Sequence, residues 1–223
     1  MRMTRVLVIR PEPGASATVK RARERGLDAV CAPLFKIEPV AWNAPNANRF
    51  DGLLVTSANA IRHGGENLGT LQTLEVFAVG KATAAAARKA GFGVKATGDS
   101  GADQLLKKLD PHLRLLHLCG EDRREPCEPR QEITQLIVYR SRPIGVPDLS
   151  NAQNAIALVH SLRAAQRLAE LVTERNSVRV AAISNAVAEA AGTGWKSVDV
   201  STEPTDDALL ALAAMLCNKP DPK

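Results

Sequence analysis

Six apolar runs in this chain end in small polar or basic residues that stand directly before helix-forming stretches: Arg10-Pro11, Thr56-Ser57-Ala58-Asn59, Gly80-Lys81-Ala82-Thr83, Cys119-Gly120-Glu121-Asp122-Arg123-Arg124, Ser161 and Ser184-Asn185. A helix N-terminus presents backbone N–H groups with no intrahelical partner, and together with hydroxyls these hold carboxylates without a charged side chain for each. The array suits a small ligand with several acid groups. Arg10 offers a guanidinium that can grip one carboxylate through two parallel hydrogen bonds; the plain alternative is a surface arginine. Ser57, Ser161, Ser184 and Thr83 are also the residue types that cap their own helices, and the two roles are compatible because one side chain satisfies only some of the exposed amides. Tyr139 is the single tyrosine. Its hydroxyl can donate a proton to a leaving group, or it is an ordinary aromatic in a strand.

Other residues offer less. His63, His112, His117 and His160 have no metal-ligand spacing. His117 and His160 fall inside apolar runs and His63 precedes Gly64-Gly65 in a loop, and all four read as ordinary core or surface histidines. Lys20, Arg21, Arg23 and Arg25 share one short helix and read as its solvated face. Cys31, Cys119, Cys127 and Cys217 form no C-x-x-C pair, so they read as reduced thiols in a cytoplasmic protein rather than a zinc or disulfide framework. There is no G-x-G-x-x-G after the first apolar run, and no P-loop, G-x-S-x-G or H-E-x-x-H sequence. These absences point to chemistry without a cofactor or metal.

The residues that must position this array show a regular alternation. Apolar runs of four to six residues are separated by Ala-rich, charge-decorated stretches of ten to fifteen, as in parallel strands buried between amphipathic helices. Strands are expected at Val6 to Ile9, Ala29 to Pro33, Gly52 to Thr56, Val76 to Val79, Val94 to Thr97, Leu115 to Cys119, Ile133 to Tyr139, Ala155 to His160, Val178 to Ile183 and Ser197 to Val200. Helices are expected from about Ala17 to Arg25 and from about Ala82 to Ala90, each stopped by a glycine, Gly26 and Gly91.

A duplication runs through this pattern at an offset of 104 residues: Leu53 to Ser57 answers to Ala157 to Ser161, Val76 to Gly80 to Val180 to Ser184, and Asp103 with Leu105-Leu106 to Asp207 with Leu209-Leu210. Two similar α/β lobes of flavodoxin-like type are therefore expected. Residues before Lys36 lack a complete sheet of their own, so one lobe is read as discontinuous, 1–35 plus 144–223, with the 40–139 lobe inserted. Two extended, proline-marked linkers, 36–39 and 140–143, would join them as a hinge of paired strands. The default ligand site is then an inter-lobe cleft over the carboxyl ends of both sheets, with Tyr139 at the hand-back from one lobe to the other.

Composition bounds the partners. The chain has 223 residues, 45% of them hydrophobic, and only 3% aromatic side chains, too few for the stacking platforms that hold single-stranded nucleic acid. The longest apolar stretch, Ala208 to Cys217, is half of what a bilayer crossing needs, and Met1-Arg2-Met3-Thr4 runs straight into Val6-Leu7-Val8-Ile9, so neither a membrane span nor a signal peptide is expected. The formal charge is +5. Residues 1–143 carry 22 basic and 15 acidic side chains and residues 144–223 carry 7 and 9, so attraction for anions should come mainly from the earlier part. No heptad or long apolar stripe argues for self-association, and a monomer is expected.

Taken in order, the strand-end sequences resemble the uroporphyrinogen-III synthase family. Val8-Ile9-Arg10-Pro11 is similar to its opening strand, and Ala32-Pro33-Leu34 with Ile37-Glu38-Pro39 to its first crossover. Leu54 to Ala60 is similar to its Thr-Ser turn, Ala78 to Thr83 to its Val-Gly-x-x-Thr turn, Cys119-Gly120 with Arg123-Arg124-Glu125 to its Gly-x-x-x-Arg strand end, and Val138-Tyr139 to its Val-Tyr. The resemblance implies two α/β lobes joined by paired strands, the first split in sequence. It implies a cofactor-free cyclodehydration of hydroxymethylbilane to uroporphyrinogen III, in tetrapyrrole and heme biosynthesis, with ring D inverted through an azafulvene and a spiro intermediate. Arg10, Ser57, Asn59, Thr83, Ser161 and nearby amides would bind acetate and propionate groups. Thr56, Gly80, Lys81, Gly120, Arg123 and Ser184 belong to the same candidate binding set, and Tyr139 would assist departure of hydroxide. Transient contact with the upstream deaminase is a partnership the resemblance leaves open.

Two departures stand out. Ile183-Ser184-Asn185-Ala186-Val187 lacks the glycine and threonine of the family's second Gly-x-x-Thr turn, so no hydroxyl contact carries over to position 187. Glu125-Pro126-Cys127-Glu128-Pro129 suggests a shortened helix where the family has a full one. A rival reading from another class is a two-lobed binding protein that captures a small polycarboxylate without reaction. A receiver domain is a poor third, since it wants acidic strand ends for Mg²⁺ and the first strand ends in Arg10.

Overall fold

Short runs of Val, Leu, Ile and Ala form strands buried on both faces in the computed structural model, which describes residues 4–99, 101–123 and 125–218. Arg124 and Met1-Arg2-Met3, used in the readings above, lie outside the described residues. Strands β1 (Val6–Val8), β2 (Ala29–Cys31), β9 (Ile156–Val159), β10 (Arg179–Ala182) and β11 (Ser197–Val200) form one parallel sheet in the order β11-β10-β9-β1-β2. Strands β3 (Phe35–Pro39), β4 (Gly52–Val55), β5 (Val76–Val79), β6 (Val94–Gly98), β7 (Arg114–Gly120) and β8 (Glu132–Pro143) form a second, in the order β3-β8-β7-β4-β5-β6. The chain divides into two compact units, Met1–Lys36 with Pro143–Lys223, and Ile37–Arg142.

Both sheets have one spatial pattern but thread it differently. Counted along the chain, the first unit runs 2-1-3-4-5, the flavodoxin-like order. In the second unit, β8-β7-β4-β5-β6 counts as 5-4-1-2-3. The offset of 104 residues is kept in the pairing itself: Leu53 lies opposite Val76 and Leu116, and Ala157 lies opposite Val180 and Leu7. The strands β7 and β8 that close the second unit therefore stand where β1 and β2 open the first.

Helices α1 (Gly14–Glu24), α2 (Ala58–Arg62), α3 (Lys81–Lys89), α4 (Ala102–Lys107), α5 (Leu162–Leu171), α6 (Asn185–Ala191) and α7 (Asp206–Asn218) cover the sheets. Alternate strand residues feed opposite layers. In the first unit Leu7, Ala157, Val159 and Val180 pack with Ala164, Ala165 and Leu168 on one side, and Val6, Val8, Ile156 and Leu158 pack with Leu209, Leu210 and Ala213 on the other. In the second, Leu53, Val55, Val76 and Leu116 pack against Ala84 and Ala87, and Leu54, Phe77 and Leu115 against Leu105 and Leu106. Gly26 and Gly91 adopt φ of +78° and +86° just past α1 and α3, the left-handed turn a side chain disfavours. Among the described residues no helix is long and apolar enough to cross a membrane.

Four expectations are corrected. The first helix begins at Gly14 rather than Ala17, because the Glu12 carboxylate accepts the Ser16 N–H at 3.0 Å and ties down its first turn. Arg21, Arg23 and Arg25 are not simply a solvated face: Arg21 pairs with Asp206, Arg23 Nε donates to the Ala29 carbonyl at 3.0 Å, and Arg25 pairs with Asp207 at 2.6 Å, which ties α1 to its neighbours. His160 lies just beyond β9 rather than inside it. The segment after Gly120 holds no helix among its described residues, not even a shortened one. Pro126 and Pro129 remove amide donors, and Gln131 Nε2 instead donates to the carbonyls at the end of α4 and just beyond it, those of Leu106 at 2.9 Å and Asp110 at 3.2 Å.

The two chain crossings lie side by side. The Ile144 N–H donates to the Leu34 carbonyl at 2.9 Å and the Val40 N–H to the Val138 carbonyl at 3.0 Å, a register that only an antiparallel pair satisfies.

Candidate functional site

In the second unit the candidate residues gather at the carboxyl ends of β4, β5 and β7 and at Tyr139, within β8 alongside the end of β7. Tyr139 arrives there through a bulge. The pairing of β7 with β8 slips between Cys119 and Gly120, so that Cys119 faces Ile137 but Gly120 faces Tyr139. The ring then lies directly over Gly120, where a Cβ would meet Tyr139 Cζ at 2.7 Å and its hydroxyl oxygen at 2.9 Å. Ser57 hydrogen-bonds that hydroxyl. Burial pushes the phenol pKa up; the Ser57 bond eases the shift, and Cys119 and Asp122 add to it. At neutral pH the phenol keeps its proton, as a proton donor requires.

The residues beside it are arranged by their own turns. Ser57 caps α2, its Oγ accepting the Asn59 N–H at 3.2 Å, and Asn59 Oδ1 accepts from Arg62 at 3.3 Å. The Thr56 hydroxyl lies 3.1 Å from His117 Nε2. Gly80 holds φ of +87° before α3, and its N–H donates to the Gly98 carbonyl at 2.6 Å. Lys81 is exposed at the first position of α3. Thr83, one of the four capping candidates, caps nothing: Gly80 occupies the cap position, and Thr83 is buried two residues into the helix. Arg123 is largely committed to its own unit, donating to Gln135 Oε1 and to the Glu121 carbonyl at 3.3 Å, with Glu125 at 3.6 Å.

The first unit carries a second set at the ends of β1, β9 and β10. Ser161 caps α5 through the Ala164 N–H at 3.3 Å, and Ser184 caps α6 through the Val187 N–H at 3.4 Å. Ser161→Ala should lower stability by about 1 kcal/mol for the lost cap, read as a lower midpoint in urea with an unchanged slope. Arg10 packs over Gly14, where a Cβ would sit 2.7 Å from its Nε, and its Nη1 reaches Asp206 at 3.4 Å. The guanidinium is therefore half-buried and already ion-paired, not a free surface arginine.

Asp206 is the centre of a cluster absent from the sequence reading. His160 Nε2 donates to it at 2.6 Å, Thr18 Oγ1 at 3.1 Å, and Arg21 pairs with it. These groups are brought together from distant parts of the chain, and no spacing links them. Burial opposes the Asp206 charge, but the hydrogen bond and charge of His160, the Arg21 charge and the Thr18 hydroxyl outweigh it, and the carboxyl pKa is held below the usual range. A depressed carboxylate stabilises the fold above its unfolded pKa and loses that contribution as pH falls through the folded value. Asp206→Asn should therefore cost roughly 2 kcal/mol at pH 7. The gap from wild type should close as urea melts are repeated at pH below about 4; a gap unchanged with pH would refute the assignment.

All four cysteines are unbridged, and no group of three or more metal-ligating side chains occurs among the described residues.

Residues 16–211 match the model of a protein family described as uroporphyrinogen-III synthase HemD. Over 119 residues the chain is 33% identical to the uroporphyrinogen-III synthase of Chlorobaculum parvum, a match covering 49% of this chain and 48% of that protein. The chain thus spans about half the length of the curated relative it matches. Among solved structures, uroporphyrinogen-III synthetase from Helicobacter pylori superposes with a TM-score of 0.69 at 17% identity, over 96% of this chain and 100% of that one. A mutant uroporphyrinogen III synthase from Thermus thermophilus reaches a TM-score of 0.50 at 18% identity, over 97% and 100%. At these identities the structural likeness shows a shared fold.

Proposed function

The chain belongs to the uroporphyrinogen-III synthase family, and from that premise we propose that it acts as a lyase, closing hydroxymethylbilane to uroporphyrinogen III with loss of water and inversion of ring D. The reading is carried by one observation: a protonated phenol, Tyr139, is set over Gly120 by a bulge and hydrogen-bonded to Ser57 among hydroxyls and helix starts suited to carboxylates.

In this reading acetate and propionate groups of the bilane are held by Thr56, Ser57, Asn59 and the amides that open α3. Tyr139 gives its proton to the departing hydroxyl as the carbon–oxygen bond breaks, releasing water and leaving an azafulvenium cation beside the phenolate. The substituted carbon of ring D attacks that carbon to give the spiro intermediate. Fragmentation and reclosure then invert the ring. The proton released when the last pyrrole regains aromaticity restores the phenol, so the sequence balances without a redox step. Much of the reactivity is the substrate's own, and the bilane also closes unaided to the uninverted isomer. The protein's main contribution is to hold the folded geometry in which the substituted carbon attacks first.

Incubation with freshly generated hydroxymethylbilane, followed by chromatographic resolution of the porphyrinogen isomers, tests the proposal. Ring-inverted product supports it. Formation of the uninverted isomer alone, at the spontaneous rate, leaves a polycarboxylate-binding protein.

A further inference from the structure

His117 occupies the middle of β7, opposite Leu54 of β4 and Gln135 of β8, and only 1% of it is exposed. A polar ring in the interior of a parallel sheet is costly unless its nitrogens are used. One of them is: Nε2 lies 3.1 Å from the Thr56 hydroxyl at the adjoining strand end. The other, Nδ1, is buried without a hydrogen-bond partner.

We propose that His117 is a positioning residue whose Nε2–H donates to Thr56 Oγ1 and so directs the Thr56 hydroxyl proton outward, toward a substrate carboxylate; this rests on the proposed function. The argument is one of tautomers. Burial, aided by the positive charge of Arg123, pushes the His117 pKa down to about 4, so the ring is neutral near pH 7 and carries one proton. On Nδ1 that proton would be a buried donor with no acceptor, in a field made positive by Arg123, at full desolvation cost. On Nε2 it satisfies the donor and leaves the Nδ1 lone pair in that positive field. Thr56 Oγ1 then accepts from His117, and its own proton is free to be given away.

A row of donors results. The Asn59 N–H gives to Ser57, and Ser57 hydrogen-bonds the Tyr139 hydroxyl; in parallel, His117 gives to Thr56. A hydroxyl polarised by a donor behind it gives its own proton more strongly.

The test uses the full-length protein. ¹⁵N NMR of histidine-labelled protein at pH 7 should show His117 as the Nε2-protonated tautomer; an Nδ1-protonated ring overturns the proposal. His117→Met, which fills the same volume without a donor, should raise KM about tenfold with kcat changed less than about threefold, as loss of uniform binding would. His117→Gln brings an amide donor to nearly the position of Nε2 and should restore the wild-type KM. In a Thr56→Val background, His117→Met should have no further effect on KM. A wild-type KM in folded His117→Met, or additive losses in the double variant, would refute the positioning role. Absence of ring-inverting activity in the wild type would instead sink the proposed function, while the tautomer measurement still reports on the His117–Thr56 pair.

Discussion

Tyr139→Phe is expected to lower kcat for the ring-inverted product by about 10- to 100-fold, toward the lower end of what a positioned general acid contributes because the bilane carbon is already reactive. Phenylalanine keeps the ring over Gly120 and its packing against the layer formed by Leu53, Val55 and Leu116. Only the hydroxyl and its bond to Ser57 are lost. KM should therefore stay within a few-fold of wild type, since the missing interaction belongs to the transition state. Bilane left unprocessed closes by itself, so the uninverted isomer should rise in the product mixture. The sign of the pKa shift gives a second readout. The phenol pKa is raised above its ordinary value of 10.0, so the donor form persists through neutral and mildly alkaline pH, and the wild-type rate should show no loss through ionisation of this group between about pH 7 and 9. Steady-state rates with isomer analysis decide the matter, and a Phe variant with normal turnover removes Tyr139 from the mechanism.

Gly120→Ala should do comparable harm to activity from the opposite side of the ring. Its Cβ would stand 2.7 Å from Cζ and 2.8 Å from Cε2 of Tyr139, well inside van der Waals contact. Either the ring swings off the strand end or the β7–β8 bulge opens, and overpacking of this kind costs about 1 to 3 kcal/mol. A displaced hydroxyl cannot reach the same leaving group, so kcat should fall about as far as in Tyr139→Phe. A double-mutant cycle identifies the cause. In a Tyr139→Ala background the added methyl meets no ring, and the stability penalty of Gly120→Ala should largely vanish. A penalty that persists in full without the ring would show that the glycine serves the backbone of β7 and not Tyr139.

Much of the fold was legible because its signals are local. Val76 to Val79 and Ser197 to Val200 are strands with the expected ends, since four consecutive apolar or alternating residues between turn formers have few other solutions. The glycine stops after α1 and α3 were readable for the same reason. The repeat of 104 residues was legible and survives as pairing register, because a one-residue slip would turn each strand's buried side chains to the wrong layer.

Function-bearing detail was legible as residue type but not as geometry. Ser57, Ser161 and Ser184 were candidates on type alone, and the fold uses all three as caps; Thr83 has the same type and caps nothing, because Gly80 takes the cap position before the helix begins. Arg10 was singled out at a strand end, yet its ion pair with Asp206 spans 196 positions of sequence and leaves no local trace. His117 was legible as a residue inside a strand, which it is, but its contact with Thr56 depends on how residues 61 positions apart align.

The amino-acid sequence by itself determined the alternation of buried strands and amphipathic helices and the identity of the strand-end donors, because these follow from periodicity and residue chemistry within a few turns of chain, and the duplication, because the same local patterns recur in one order 104 residues on. The tertiary structure alone decided that the second unit threads the shared strand pattern from a different starting strand, that a bulge sets Tyr139 over Gly120, and that Asp206 and His117 stand behind Arg10 and Thr56. Each of these depends on which distant strand lies alongside and in what register, and that is settled by packing summed over a whole sheet, which no local stretch of sequence encodes.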